Sequence, residues 1–186
     1  MKSRSTALLL QDHKRLLQVV NVLEEMAAGA GRDQNLNETH VKDLLEFLQD
    51  FGDRHHQGKE EEVLFPALLQ GPAQKNYREL CGLVFEHNKQ RSLIEDLQDS
   101  ALTKKTQKFV FYATRLIGIL RSHVRQEEEI LFPLVDATLS PADDDRVVKE
   151  MKSYDQQWQD RELSGMLRRL DALESKYLRK ARAQTA

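Results

Sequence analysis

Cysteine is nearly absent from this chain of 186 residues: Cys81 stands alone. One thiol makes neither an intrachain disulfide nor a cysteine-based zinc site. Proline and glycine are scarce, at 4 and 8 residues, so few positions interrupt regular helix. No apolar run reaches the roughly 18 residues that a membrane-spanning helix requires. The opening "MKSRSTALLLQDHK" has a basic start, but its apolar stretch is too short for a secretory signal. Charge of one sign is also lacking: 28 Lys and Arg face 30 Asp and Glu, for a net charge of −2. Without a basic field the chain is expected to engage neither nucleic acid nor an anionic membrane. These absences together predict a soluble, cytoplasmic protein.

What is present is helical periodicity. Leu9, His13, Leu16, Val20 and Leu23 recur at steps of three and four, ending near "AGAGRD". Val41, Leu44, Leu48, Gly52, His56, Glu60, Val63 and Ala67 form a second stripe, which stops at "QGPAQ". A third holds Leu80, Val84, His87, Arg91 and Ile94. The fourth holds Phe109, Tyr112, Leu116, Ile119, His123, Glu127, Ile130 and Leu134. No segment alternates as a strand would. Four helices with short turns predict an all-α, up-down-up-down four-helix bundle over residues 1–139. Ser140 and Pro141 start a further helix well. A C-terminal helical extension over residues 140–186 is therefore expected. It is more charged than the bundle, and docking, partner binding and fraying are all open to it.

The polar residues on these stripes carry the message. "HHQGKEEEVLFP" at 55–66 returns as "SHVRQEEEILFP" at 122–133. His56 to His123, Glu60 to Glu127 and Pro66 to Pro133 are each offset by 67, and His13 to His87 by 74. The chain thus repeats a helical hairpin bearing His plus His-x-x-x-Glu. In each copy, His and Glu four apart share one helix face, in register with core leucines. A buried carboxylate costs several kcal/mol unless neutralised. Two facing each other repel, and bound cations remove both penalties. His13, His56, Glu60, His87, His123 and Glu127 are the candidate ligands. Four imidazoles and two carboxylates suit iron or manganese better than zinc, and six ligands suit two bridged ions better than one. Glu61, Glu62, Glu128, Glu129 and His55 are expected on solvated faces, although Glu61 and Glu128 could turn inward. His40 is expected at the surface, away from the cluster. Tyr112 is read as core, and the two Leu-Phe-Pro runs as packing and helix-end shaping.

The repeated His-x-x-x-Glu-Glu-x-x-Leu-Phe-Pro, with one upstream histidine per half, resembles the hemerythrin-like, or HHE cation-binding, family over about residues 5 to 138. The resemblance implies a four-helix bundle with a non-haem di-iron centre. It carries ligand roles to the six residues above, with Glu60 and Glu127 as bridges. Two features depart from the oxygen carriers. Arg91 stands where they place a second histidine, and their fourth-helix aspartate is replaced by Glu127 in His-x-x-x-Glu spacing. The resemblance therefore extends to the broader group, which handles oxygen, nitric oxide, peroxide or iron. Arg91 is expected to point at the metal cavity.

Three functions are consistent with these residues. One is a di-iron protein that binds or reacts with a small ligand such as oxygen, nitric oxide or peroxide. Another is an iron sensor or store whose occupancy controls folding and partner binding through the C-terminal helix. The third is a metal-free helical interaction module. Neither the ferritin-type Glu-x-x-His nor the zincin His-Glu-x-x-His occurs.

Overall fold

The computed structural model describes residues 3–33, 36–70, 77–158 and 160–184, side chains of 33, 160, 161 and 179–184 excepted. Six helices make up the described residues, with no strand among them. They are α1 (Arg4–Asp33), α2 (38–68), α3 (Tyr77–Leu102), α4 (106–138), α5 (Pro141–Asp155) and α6 (Asp160–Gln184). Helix α1 runs through Gly29 and Gly31 to Asp33. The expected stop at "QGPAQ" lies outside the described residues except for Gln70. Helices α1 to α4 pack as a ring, each against the next and α4 against α1. Short connections such as that from Leu102 to Thr106 make neighbours antiparallel.

The core is two apolar clusters with a polar layer between them. Leu16, Val20, Leu23, Leu44, Leu48, Leu97, Leu116 and Leu120 belong to the first. Leu9, Leu64, Leu68, Leu80, Leu83, Leu131 and Val135 belong to the second. Along every bundle helix a histidine separates them, as His13 does between Leu9 and Leu16.

Helices α2 and α4 are not plain α-helices. Leu48–Gln57 and Glu60–Leu64 in α2, and Glu127–Leu131 in α4, form wider π-helical turns, a feature common at functional sites. A wider turn shifts the helical phase of the residues after it. It corrects one sequence expectation: Ile130 is 54% exposed, while Leu131 beside it is buried. Each copy returns to α-helix at Leu-Phe-Pro, with Pro66 and Pro133 in the first turn, where a missing N–H costs little.

The C-terminal segment also departs from expectation. One further helix within 140–186 is the expectation; two are found, parted by a turn over 156–158. As expected, Ser140 caps α5, accepting from the Asp143 amide. Both helices dock on the bundle, α5 against α1 and the π turn at 60–64, α6 against α1 and α2. Val147 and Met151 join one apolar cluster, and Met166, Leu170 and Leu173 the other. Asp144 reaches back to the start of α1, accepting from the Arg4 and Ser5 amides at 2.7 and 3.1 Å.

Candidate metal centre

Each bundle helix delivers one histidine to the polar layer, and α2 and α4 add a glutamate one turn on. His13, His56, Glu60, His87, His123 and Glu127 all have 1% or less of their surface exposed. Their donor atoms form two overlapping groups, His13–His56–Glu60–Glu127 and Glu60–His87–His123–Glu127, each lying within 4.8 Å. Both groups contain Glu60 and Glu127. The imidazoles pair across the bundle, His13 with His56 and His87 with His123, at ring separations of 5.0 and 4.7 Å. Glu127 lies 3.0 Å from His13 Nε2 and 2.8 Å from His123 Nε2. Glu60 lies 3.4 Å from His87 Nε2 and 3.9 Å from His56 Nε2.

These contacts are close enough for charge pairing, but most lack hydrogen-bond angles. Both oxygens of Glu60, both of Glu127, both nitrogens of His56 and His13 Nε2 are buried without a hydrogen-bond partner. Each such atom ordinarily costs about 1–3 kcal/mol. Concentrated at one point, they fit a bound cation. His87 Nε2 and His123 Nε2 approach to 2.9 Å, so they share either a proton or an ion.

Without a cation, protons take its place. Burial alone would lower the His13 pKa, but Glu127 and Glu128 lift it to about 9. Burial likewise opposes the charge on His87, and Glu127, Glu60 and Glu61 raise its pKa to about 11. Burial is overcome at His123 too, whose pKa rises beside Glu127. Burial would raise the Glu127 pKa; His123, His13 and His87 hold it well below the usual carboxylate range.

Around this layer lies a ring of carboxylates that orient the imidazoles through Nδ1. Glu128 holds His13 at 2.9 Å, Glu61 holds His87 at 2.6 Å and Glu86 holds His123 at 2.8 Å. Asp12 faces His56 at 3.5 Å. The ring keeps the twofold pattern: α1 and α3 supply the acid for the histidine of the next helix, and α2 and α4 do likewise. Glu61 and Glu128 thus turn inward, as far as the histidines. Glu62 and Glu129 stay exposed, and Glu128 keeps 39% of its side chain exposed while it reaches His13. Asp12 and Glu86 were not anticipated. An acid before histidine, repeated at the 74-residue offset, was their signal in the sequence. The Leu-Phe-Pro phenylalanines stack on the site, Phe132 on His13 at 5.3 Å and Phe65 on His87 at 6.2 Å.

A profile of the hemerythrin HHE cation-binding domain matches residues 4–135. The chain belongs to the hemerythrin HHE family. The same profile matches a second time over 83–182, taking in α3 to α6. No histidine follows His123, so this second hemerythrin-like register offers no histidine ligand in its latter half. Searches of curated proteins and of solved structures return no match.

Among the other residues singled out in the sequence, His55 departs from expectation. Arg91 lines a small cavity beside His56 and His123, yet bonds no candidate ligand carboxylate. Its guanidinium donates to Glu61 at 2.8 Å and Asp53 at 2.7 Å. Burial would lower its pKa, but these two acids raise it. His55, expected in solvent, is 3% exposed and faces Asp155. His40 is away from the site, half-buried against Tyr177 of α6. Tyr112 packs partly buried on the core. The cavity is about 10 Å³, roughly one water's room. Leu16, Leu48, Ile94 and Leu120 line it, with Gln57 and Gln90. Among the described residues no helix is long and apolar enough to cross a membrane.

Proposed function

We propose that the chain is a non-haem di-iron protein of the cytoplasm that takes a small ligand, oxygen, nitric oxide or peroxide, into the bundle core. His13 and His56 would hold one ion and His87 and His123 the other, with Glu60 and Glu127 common to both. That sharing of two carboxylates between two donor groups carries the reading. Iron fits the imidazole-rich, thiolate-free donor set; manganese or zinc fits less well. The ions would supply open positions for the ligand. The chain's own part is to fix the imidazoles through the carboxylate ring, exclude water with Leu and Ile, and present the small cavity between His56 and His123. Elemental analysis of aerobically purified protein should give iron near two per chain. A near-ultraviolet band that dithionite bleaches should accompany it. One ion per chain, or none after iron reconstitution, would refute the di-iron reading.

A second reading, an iron sensor or store, draws on the buried atoms left unpartnered at Glu60, Glu127 and His56. Their stability depends on a cation, so occupancy itself would control how tightly the bundle and its C-terminal helices hold together. Ligand-dependent spectra favour the first reading. Iron-dependent partner binding favours the second. A metal-free module would show the same melting temperature with and without iron, and Glu127→Ala would leave it unchanged.

A further inference from the structure

The internal repeat fails at particular places in α2. His55, Gly58 and Lys59 correspond, at the 67-residue offset, to Ser122, Arg125 and Gln126. All three face the end of α5. Lys59 is 3% exposed, an uncommon position for an ammonium. Its Nζ lies 2.6 Å from Asp12 and 3.3 Å from Asp155. Asp155 also lies 2.9 Å from His55 Nε2. Tyr154 donates its hydroxyl to the Arg54 carbonyl at 2.8 Å, passing over Gly58, where any Cβ would collide with it. Trp158 sets its ring edge-on to His55 at 5.8 Å. The last turn of α5 and the turn after it thus clasp residues 54–59, the stretch that carries His56.

The clasp explains the one irregular member of the carboxylate ring. Three histidines are held by their outer acids at 2.6 to 2.9 Å. His56 is held at 3.5 Å, because its acid, Asp12, is shared with Lys59. A buried ammonium needs counter-charge close by, and Asp155 supplies part of it from outside the bundle. Were Asp155 neutral, Lys59 would draw on Asp12 alone, and Asp12 would leave His56. The corresponding position in the other half holds neutral Gln126, and Glu86 there serves His123 without a lysine.

We propose that the end of α5 positions the His56 side of the metal centre, with Asp155 as the positioning residue acting through Lys59 and Asp12. The two ion positions are therefore inequivalent, and only one depends on the C-terminal helices. This inference rests on the two-ion reading. The test is iron per chain after dialysis against a moderate chelator, with far-ultraviolet circular dichroism to monitor folding. Wild type should keep two ions, and Asp155→Asn should keep one at unchanged helicity. Adding Lys59→Met to that variant removes the ammonium's demand and should restore the second ion, as should Asp155→Glu. If Asp155→Asn keeps both ions, loses both, or is not rescued by Lys59→Met, the inference fails while the two-ion reading stands. If wild type itself holds fewer than two, the two-ion reading fails and takes the inference with it.

Discussion

Glu127 has no exposed surface and lies within 3.0 Å of two imidazoles on different helices. Its position is tolerable only while positive charge surrounds it, from protons or from metal. Replacing it with Gln keeps the shape and removes the charge that both ion positions share. Iron content should fall below one per chain, read by elemental analysis, and a variant that retains two ions would remove Glu127 from the centre. Gly52 offers a gentler probe. A Cβ there meets only Leu16 Cδ2, at 3.4 Å, and Ala is favoured over Gly within a helix by about 0.5–1 kcal/mol. Gly52→Ala should therefore fold and load iron normally while filling part of the small cavity. Weaker or slower nitric oxide binding, measured optically, is the expected outcome; unchanged binding would place the ligand elsewhere. At this scale the six candidate ligands were legible because His and Glu recur on core-facing stripes. Lys59 was not, because a single lysine beside three glutamates reads as a solvated charge. Its burial depends on α5, more than eighty residues later in the chain, which no local pattern reveals.

The helices were legible as elements, but their phase was not. A 3.6-residue period assigns Ile130 to the core, whereas the π turn at Glu127–Leu131 moves Leu131 there instead. Nothing in "EEEIL" marks the wider turn, which begins at Glu127 and shifts only the residues beyond it. The turn between α3 and α4 is a second element-level feature. Lys104 adopts φ 54°, in the left-handed region, which costs a side-chain-bearing residue about 1–2 kcal/mol. Its ion pair with Glu38 joins two largely exposed side chains and contributes little. Lys104→Gly should raise stability to urea by about 0.5 kcal/mol, with unchanged iron content. Gly58 behaves oppositely. Ala there should destabilise by about 1–3 kcal/mol despite its better helix propensity, because the Tyr154 ring must be displaced. A neutral or stabilising effect in the same urea titration would mean that Tyr154 does not close over α2.

Across the whole molecule, the polar layer divides two apolar clusters, and the fold depends on what charge occupies that layer. In the metal-free chain the occupants are protons. His13 is raised from 6.5 to about 9, and His87 to about 11, because buried carboxylates face them. A raised folded-state pKa stabilises fully below the unfolded value of 6.5 and is lost as pH climbs through the folded value. The metal-free chain should therefore lose stability between pH 6.5 and 9, the window set by His13, and further toward pH 11 as His87 releases its proton. The loaded chain should respond in the opposite sense over the same range. Its ligands must be deprotonated to bind, so iron competes less with protons as pH rises. Melting temperatures of matched metal-free and iron-loaded samples should diverge from pH 6.5 to 9. Parallel curves would mean that protons and iron do not compete for the same nitrogens, and that the histidines of the two halves serve packing alone.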